Sequence, residues 1–545
     1  MKPIRRFIAS GLLLTFSALI MRSISVSFGA YVSRTAGAEA MGVFSLIMSV
    51  FGFALTVATS GVNLAVTRMI SEALGENDET LLHKSMRKCI GYCLFFSLIS
   101  AFFLFSLSPF LGKNILHDIR TVRPLKILAV SLPFISLTSA YNGYFSAVRR
   151  VYKNTVYSVS EQLIKIFFTV KMFELFIDKG IEFACIALVG ADVISEFSAF
   201  LISGIMYYFD KKKYSKKYKT KYSNKEIKGK LFAIALPVAF STYFRSSLLT
   251  VEHILIPKCL IRSGLERSAA LSSYGTLHSM VFPIVLFPVS VLSSFSGLLI
   301  PELAEARVKN KKVAVQYIAR RAFQFSFIFS FLISGFLICF SNELGMMIYN
   351  SSEASHYIKH LAPLVPIMYL DGVTDAMLKG LGEQVYSMNV NIIDALLSIF
   401  FVVILLPKYG MMGYIITIYI TEIVNFALSF FRLLLKTKLD INIAKTLLSP
   451  SFSIIITSFF VKCLFSFVPM QTNEAGTLII KCILSVLIYC FFIRITKGIS
   501  KDDTAWLKNV FLIKRCSGDL YEEHRDARKY SAPLQKERLQ SIQKY

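Results

Sequence analysis

Two arginines interrupt strongly apolar stretches of this sequence and have the chemistry to bind a diphosphate. Arg22 lies in the first such stretch and Arg245 in the seventh. A charge inside a membrane span costs roughly 2.5–3.5 kcal/mol on insertion scales, so its side chain faces a cavity or a partner. The planar guanidinium fork matches two phosphate oxygens, so on opposite cavity walls the two would clamp a diphosphate. The alternative is that a nearby carboxylate neutralises each arginine and holds helices together.

A third basic residue, Lys165, is a weaker candidate for the same anion. Glu161 precedes it by four residues and can pair with it on one helix face, which is the simpler interpretation. Three further charged residues, Arg68, Glu72 and Glu305, fall at the cytoplasmic ends of the second and eighth stretches. They predict an ion-pair gate that closes the inner side, or else ordinary solvation of two helix ends.

Acidic residues inside the apolar stretches suggest coupling to a cation. Asp192 and Glu196 are four residues apart, as are Asp371 and Asp375, so each pair shares a helix face. Two carboxylates repel each other in a low dielectric, and one of them could hold a proton. A further set offers the hard oxygen ligands that sodium needs, or forms a structural polar network: Glu252, Asn391, Asp394, Thr417 and Thr421.

The elements that must position these residues are membrane helices. The 545 residues are 54% hydrophobic with 48 Phe, and the mean hydropathy is +0.58, which is too apolar for a soluble domain. A span needs roughly 20 mostly apolar residues. We predict about fourteen: 7–32, 40–66, 89–111, 125–147, 156–177, 182–209, 231–256, 270–299, 322–341, 358–378, 387–406, 411–431, 450–469 and 477–496.

The net charge of +26 is distributed as in a membrane protein rather than a nucleic-acid binder. With both termini in the cytoplasm, most lysines and arginines fall in cytoplasmic segments, which is the positive-inside pattern of a cell-membrane protein. Half of the residues in 211–230 are lysines, so this segment is predicted to be a solvated linker. The outer loops are short, and the sequence has no DxD, HExxH or GxxxxGK[ST] motif, so we expect no enzyme and no cofactor beyond a coupling Na⁺ or H⁺.

An internal repeat organises the chain. Residues 41–74 can be aligned with 274–307 at an offset of 233 residues, and Gly42 then aligns with Gly275. The same offset joins Pro133 to Pro366 and Glu161 to Asp394. Six spans in each half predict parallel repeats about an axis normal to the membrane, with a cavity between two lobes. The predicted domains are an N-lobe, a basic linker, a C-lobe, two added spans and a cytoplasmic tail: 1–210, 211–230, 231–435, 436–496 and 497–545.

Several stretches resemble a known family. The sequence of 37–73, GAEAMGVFSLIMSVFGFALTVATSGVNLAVTRMISEA, is similar to the span-two signature of polysaccharide exporters. The stretches 132–166, 282–306 and 377–399 resemble other signatures of that group. The chain thus looks like a member of the multidrug/oligosaccharidyl-lipid/polysaccharide (MOP) flippase superfamily, in the branch similar to stage V sporulation protein B and related to lipid II flippases. Where relatives carry a Gly-Leu-Gln-like turn, this chain has Ala147-Val148-Arg149-Arg150.

The resemblance implies an all-α polytopic protein with two lobes and a central cavity. It implies a monomeric flippase that turns a lipid-linked sugar from the inner to the outer leaflet by alternating access. Cell-wall or polysaccharide synthesis enzymes would be its partners, and nucleic acid would not. A cation-coupled multidrug exporter and a non-transporting scaffold for wall or spore-coat assembly remain the alternatives.

Overall fold

In the computed structural model, residues 20–76, 78–150, 152–212, 222–309, 311–439, 444–467, 475–496 and 498 are described. Every regular element within them is a helix. In chain order these are α1 (20–36), α2 (Ala38–Thr59), α3 (Val62–Gly75), α4 (Glu79–Phe110), α5 (Val122–Ala129), α6 (Leu132–Ala147), α7 (Tyr152–Phe176), α8 (Ile181–Lys211), α9 (Asn224–Arg262), α10 (Arg267–Gly275), α11 (Phe282–Leu286), α12 (Val289–Val308), α13 (Lys312–Tyr349), α14 (Ser352–Leu361), α15 (Val365–Gly380), α16 (Gln384–Thr437), α17 (Ser449–Phe467) and α18 (Ala475–Ile495).

Most of these helices are long and apolar enough to cross a membrane. Within the described ranges nine segments qualify, or ten if the bent pair Ile119–Ala129 and Leu132–Ala147 counts as one span. The prediction of an all-helical polytopic membrane protein is confirmed, whereas fourteen spans stays a prediction. The start of the first span, residues 213–221 of the basic linker and nearly all of the tail lie outside the described residues.

The longest helix, α16, is two helices joined at Gly410. This residue has φ 58° and ψ −140°, which is not helical. A Cβ on Gly413 would lie 2.5 Å from the carbonyl oxygen of Leu405. A straight helix would hold those two residues about 12 Å apart, so the chain turns back on itself. We call the two parts α16a (384–409) and α16b (411–437).

The helix boundaries repeat at the offset that the sequence suggests. The helix α6 covers 132–147 and α15 covers 365–380, so both ends match at 233 residues. The C-terminal ends of α3 and α12 match at the same offset, as do the N-terminal ends of α4 and α13. The helix-capping side chains of Asp118 and Ser351 are also 233 residues apart. The two halves therefore share one fold.

The two lobes meet where α2 and α10 begin, and we call this end of the bundle the seam end. A Cβ on Gly42 would lie 2.0 Å from the carbonyl oxygen of Leu271, and one on Gly275 would lie 2.3 Å from that of Ala38. Leu271 is the counterpart of Ala38 at the same offset of 233, so the two contacts are equivalent. Repeat-related residues touch each other only close to their symmetry axis, so this axis passes between α2 and α10.

The opposite end, where α8 ends and α9 begins, is called the linker end. Here α3 packs against α4, α6 and α9, and α12 packs against α13 and α15. Each of α3 and α12 thus stays with its own side of the bundle. The lobes are thus in backbone contact at the seam end, whereas α3 and α12 pack mainly within their own sides at the linker end.

The helix α9 crosses from one lobe to the other. Its first turns are fixed by a capping box in which Ser223 and Glu226 bond each other's backbone N–H. Near this end, Ile227, Leu231 and Ala235 are buried in a cluster of first-lobe residues. Near its other end, α9 packs against α16, and Ile256, Cys259 and Leu260 are buried in a cluster that contains residues of both lobes. The predicted boundary at residue 231 therefore falls inside a helix that ties the lobes together.

Candidate functional site

The two arginines predicted to clamp a diphosphate both project into open space. Arg22 on α1 and Arg245 on α9 are exposed, and within the described part of the chain neither forms an ion pair. The charge of Arg245 nevertheless acts on Asp371 and Asp394 of the second lobe. Arg245 therefore has carboxylates nearby while its guanidinium is free to accept an anionic ligand.

A group of carboxylates lies inside the second lobe, close to Arg245. It consists of the second-lobe carboxylates Glu252, Asp371, Asp375, Asp394 and Glu422, none of which is exposed. Asp394 acts electrostatically on Glu252, Asp371 and Glu422, so the group is continuous. Sequence reasoning missed Glu422, although a carboxylate within the apolar run 411–431 is the same signal that identified the others.

Hydrogen bonds hold three of these carboxylates within the lobe. Ser398 donates to Glu252 at 2.6 Å between Oγ and Oε1, and Asn425 donates to Asp371 at 3.2 Å. Ser387 donates to Asp375 at 2.7 Å. The other oxygen of Asp371, Oδ1, is buried and has no hydrogen-bond partner among the described residues. It is available to a proton or a small cation, because a buried acceptor without a partner costs free energy.

The predicted sodium ligands are only partly brought together. Glu252 and Asp394 interact, but Asn391 donates its amide to Asp375 at 3.4 Å. The hydroxyls of Thr417 and Thr421 donate to carbonyls of their own helix. Among the described residues, no group of three or more His, Cys, Asp or Glu side chains has the geometry to hold a metal ion. A sodium site at these five residues stays a prediction.

The first lobe holds a second charged cluster between α7 and α8. The ammonium of Lys165 lies 2.5 Å from Oδ1 of Asp192. Glu161 and Glu196 also act on it electrostatically, so one lysine faces three carboxylates. The expected local partner, Glu161, is therefore a secondary one, because the side chain of Lys165 reaches across to the neighbouring helix. This arrangement favours a structural pair over a substrate contact.

The predicted gate residues pair with near neighbours in the chain or with α9, and the ion pairs among the described residues do not join α3 to α12. The carboxylate of Glu72 accepts a hydrogen bond of 3.1 Å from Arg68 on its own helix, and it also lies 2.5 Å from the ammonium of Lys230 on α9. Glu305 pairs with Lys309 on its own helix. The contact of Glu72 with Lys230 anchors α9 to the first lobe beside a small cavity of about 260 Å³.

The turn after α6, where the chain departs from its relatives, is also held by ion pairs. Arg149 there has φ 57°, whereas its counterpart at offset 233, Gly382, has φ 72°. Arg150 pairs with the buried Asp210 at the end of α8. In the second lobe, the residue equivalent to Arg150 is Glu383, which pairs with Arg432 at 2.7 Å. The residue on the turn is therefore basic in the first lobe and acidic in the second. The departure from the usual sequence therefore leaves the turn intact.

Comparison with known proteins agrees with this geometry. The family model described as "Polysaccharide biosynthesis protein" matches residues 7–307, and the MatE model matches 259–404. Stage V sporulation protein B of Bacillus subtilis (strain 168) is 24% identical over 508 residues, which is 91% of this chain and 96% of that protein. The lipid II flippase MurJ of the same organism is 22% identical over 323 residues, covering 53% of this chain and 58% of MurJ.

Solved structures show the same fold. A lipid II flippase MurJ in an inward closed conformation superposes with a TM-score of 0.64 at 17% identity, covering 90% of this chain and 98% of that one. An inward-facing multidrug resistance MATE transporter of the MOP superfamily superposes with a TM-score of 0.59 at 13% identity, covering 78% and 99%.

The fold and the charged clusters, together with these matches, define a multi-pass membrane transporter of the flippase type in the cell membrane. The chain belongs to the polysaccharide biosynthesis protein family of the MOP flippase superfamily. Its family and relatives are transporters and flippases, as the sequence predicts, rather than enzymes.

Proposed function

We propose that this protein flips a lipid-linked oligosaccharide or a lipid II-like polyprenyl-diphosphate sugar across the cell membrane. The observation that carries the proposal is that Arg22 and Arg245 are exposed and form no ion pair with any residue that the structure describes. A guanidinium without a carboxylate partner is suited to a phosphate ligand, because it can form two parallel hydrogen bonds to it. The similarity to the lipid II flippase MurJ supports this class of substrate.

The direction of transport follows from the charge distribution. The positive-inside pattern supports a cytoplasmic location for both termini and the linker end, with the seam end outside. The linker end would then face the leaflet in which lipid-linked sugars are assembled. Substrate enters between the lobes from the cytoplasmic leaflet and leaves once the seam has parted. Polysaccharide or cell-wall synthesis enzymes would supply it to a monomeric flippase.

The second-lobe carboxylates are the proposed coupling site. They lie close to Arg245, and within the described part of the chain one oxygen of Asp371 has no hydrogen-bond partner. Binding of a cation, either H⁺ or Na⁺, would neutralise part of this negative charge and favour one state of the lobe. A difference of about 1.4 kcal/mol between the two states shifts their ratio roughly tenfold, so a weak site is sufficient to give direction.

A cation-coupled multidrug exporter is the second candidate. The number of second-lobe carboxylates and the match of residues 259–404 to the MatE model favour it. Three of those carboxylates, Glu252, Asp371 and Asp375, are however hydrogen-bonded within the lobe, whereas Arg22 and Arg245 are exposed. Two exposed positive charges favour an anionic substrate.

Vesicles containing the purified protein test the proposal through Arg245. A fluorescent polyprenyl-diphosphate sugar is added, and its transfer between leaflets is followed with a membrane-impermeant quencher. Arg245→Gln should abolish transfer, and Arg245→Lys should restore only part of it, because a point charge replaces a fork. Arg262→Gln, at the far end of the same helix, is the matched control and should flip normally. Full activity of Arg245→Gln would overturn the clamp.

A further inference from the structure

We propose that Gly42 and Gly275 form the gate of the seam end, and that transport requires these two glycines to separate. The inference concerns how the lobes part and holds for any substrate. A Cβ on either residue would lie 2.0 Å or 2.3 Å from a backbone carbonyl oxygen of the opposite lobe. Two helix backbones can approach this closely only where the residue at the contact is glycine, which has no Cβ.

A hydrogen bond between the lobes lies directly beneath the glycines. Oγ of Ser45 and Oγ of Ser279 are 2.7 Å apart, three and four residues further along α2 and the α10 segment. On the side of α10, the residues Thr276–Val281 are π-helical, whereas α2 is a regular helix at the corresponding level. π-Helical turns are frequent at functional sites, and this one continues directly from Gly275. The close contact of the glycines thus continues into a polar pair and an irregular helical segment.

An ionic latch above the glycines joins the same two lobes. Oδ2 of Asp118 lies 2.8 Å from Arg120 of its own lobe and 3.3 Å from Arg267, the first residue of α10. Arg120 also forms an ion pair with Glu39, at 2.9 Å. Burial alone would raise the pKa of Asp118, but the hydrogen bonds and charge of Arg120, aided by Arg267, hold this pKa below its ordinary value. The carboxylate therefore stays charged at physiological pH, and the latch does not depend on pH there.

These contacts share one mechanical property. They join the lobes through close backbone contact and polar side chains, beside apolar side chains of both lobes such as Leu46 and Leu277 that are buried in one cluster. The latch residues and the serine pair lie above and below the glycines, so all of these contacts must break when the lobes separate.

Cysteine cross-linking tests whether the seam must open. Ser45→Cys/Ser279→Cys in the full chain should form a disulfide on oxidation, detected by loss of reaction with a mass-tagged maleimide. Transfer of the fluorescent lipid should stop and should return on reduction. Ser449→Cys/Thr496→Cys is the matched control, because its two oxygens are also 2.7 Å apart but lie within α17 and its neighbour α18. The control disulfide should leave transfer unchanged. Flipping by the oxidised Ser45→Cys/Ser279→Cys protein would overturn the proposal.

Glycine substitutions give a second readout that needs no substrate. In a Ser279→Cys background, a membrane-impermeant maleimide applied from the seam end should react slowly, because the closed seam covers the thiol. Gly42→Ala or Gly275→Ala should raise this reaction at least tenfold, since the added Cβ prevents closure. Gly52→Ala on the same α2 is the control, because a Cβ there meets nothing within 4 Å. Equal labelling in Gly42→Ala, Gly275→Ala and Gly52→Ala would show that the glycines do not close this side.

Discussion

Replacing Lys165 by Met separates a structural ion pair from a substrate contact. The ammonium lies 2.5 Å from Asp192, and the two side chains are 30% and 12% exposed. Glu161 and Glu196 act on the same lysine, so its removal leaves three carboxylates facing one another between α7 and α8. Breaking a buried pair by removing one partner costs about 3–5 kcal/mol, and we expect a loss of stability in this range.

The double variant Lys165→Met/Asp192→Asn distinguishes lost pairing from lost packing. It removes the carboxylate that the lysine neutralised, so it should recover about 1–3 kcal/mol of the loss. Asp192→Asn alone completes the double-mutant cycle, together with the unmodified protein, Lys165→Met and the double variant. Lys171→Met, on the exposed part of the same helix, is the control and should change stability little, because its partner Glu174 is also exposed.

Native cysteines provide the assay. Cys89, Cys93, Cys185 and Cys259 are fully buried, so a thiol-reactive dye reports unfolding of the protein in detergent. The unfolding midpoint in denaturant should fall for Lys165→Met and rise again in the double variant. A Lys165→Met protein of normal stability that no longer flips its lipid would refute this reasoning. It would instead place Lys165 among the residues that contact substrate.

Three further predictions can be checked with the same preparations. Arg149→Gly should stabilise the protein by about 1 kcal/mol, because a left-handed conformation costs an L-residue about that much; Gly382→Ala should destabilise it, both measured as unfolding midpoints. Asp394→Asn should lower lipid transfer and remove its dependence on Na⁺ or pH. If the substitution has no effect and transfer responds to neither Na⁺ nor H⁺, the second-lobe carboxylates form a structural network instead. Deleting 517–545 should leave flipping in vesicles intact, whereas loss of activity would support the scaffold alternative.

Much of the fold can be predicted from the sequence because a membrane helix must be apolar over its whole length. The repeat can be predicted as well, since Gly42 and Gly275 are separated by the same number of residues as Pro133 and Pro366. The contact between those two glycines could not be derived from the offset alone. An offset shows that two residues are equivalent, and only the packing of α2 on α10 shows that they touch.

The charged clusters were predicted less completely because their members come from different helices. Spacing of three or four residues identifies neighbours on one helix, which led to Glu161 as the partner of Lys165. The structure places Asp192 nearer, because α7 and α8 pack side by side. Likewise Asn391 meets Asp375 rather than Glu252, and this depends on how α15 and α16a approach each other.

The substrate itself is the central claim, and direct translocation by the unmodified protein tests it best. Vesicles containing the purified protein are offered a labelled polyprenyl-diphosphate sugar, a labelled phospholipid or ethidium, with Na⁺ and pH gradients applied in turn. The account predicts rapid transfer of the diphosphate-linked sugar, at rates well above those of empty vesicles, and no protein-dependent movement of ethidium. Cation-driven ethidium transport without transfer of the lipid-linked sugar would contradict it and identify a multidrug exporter.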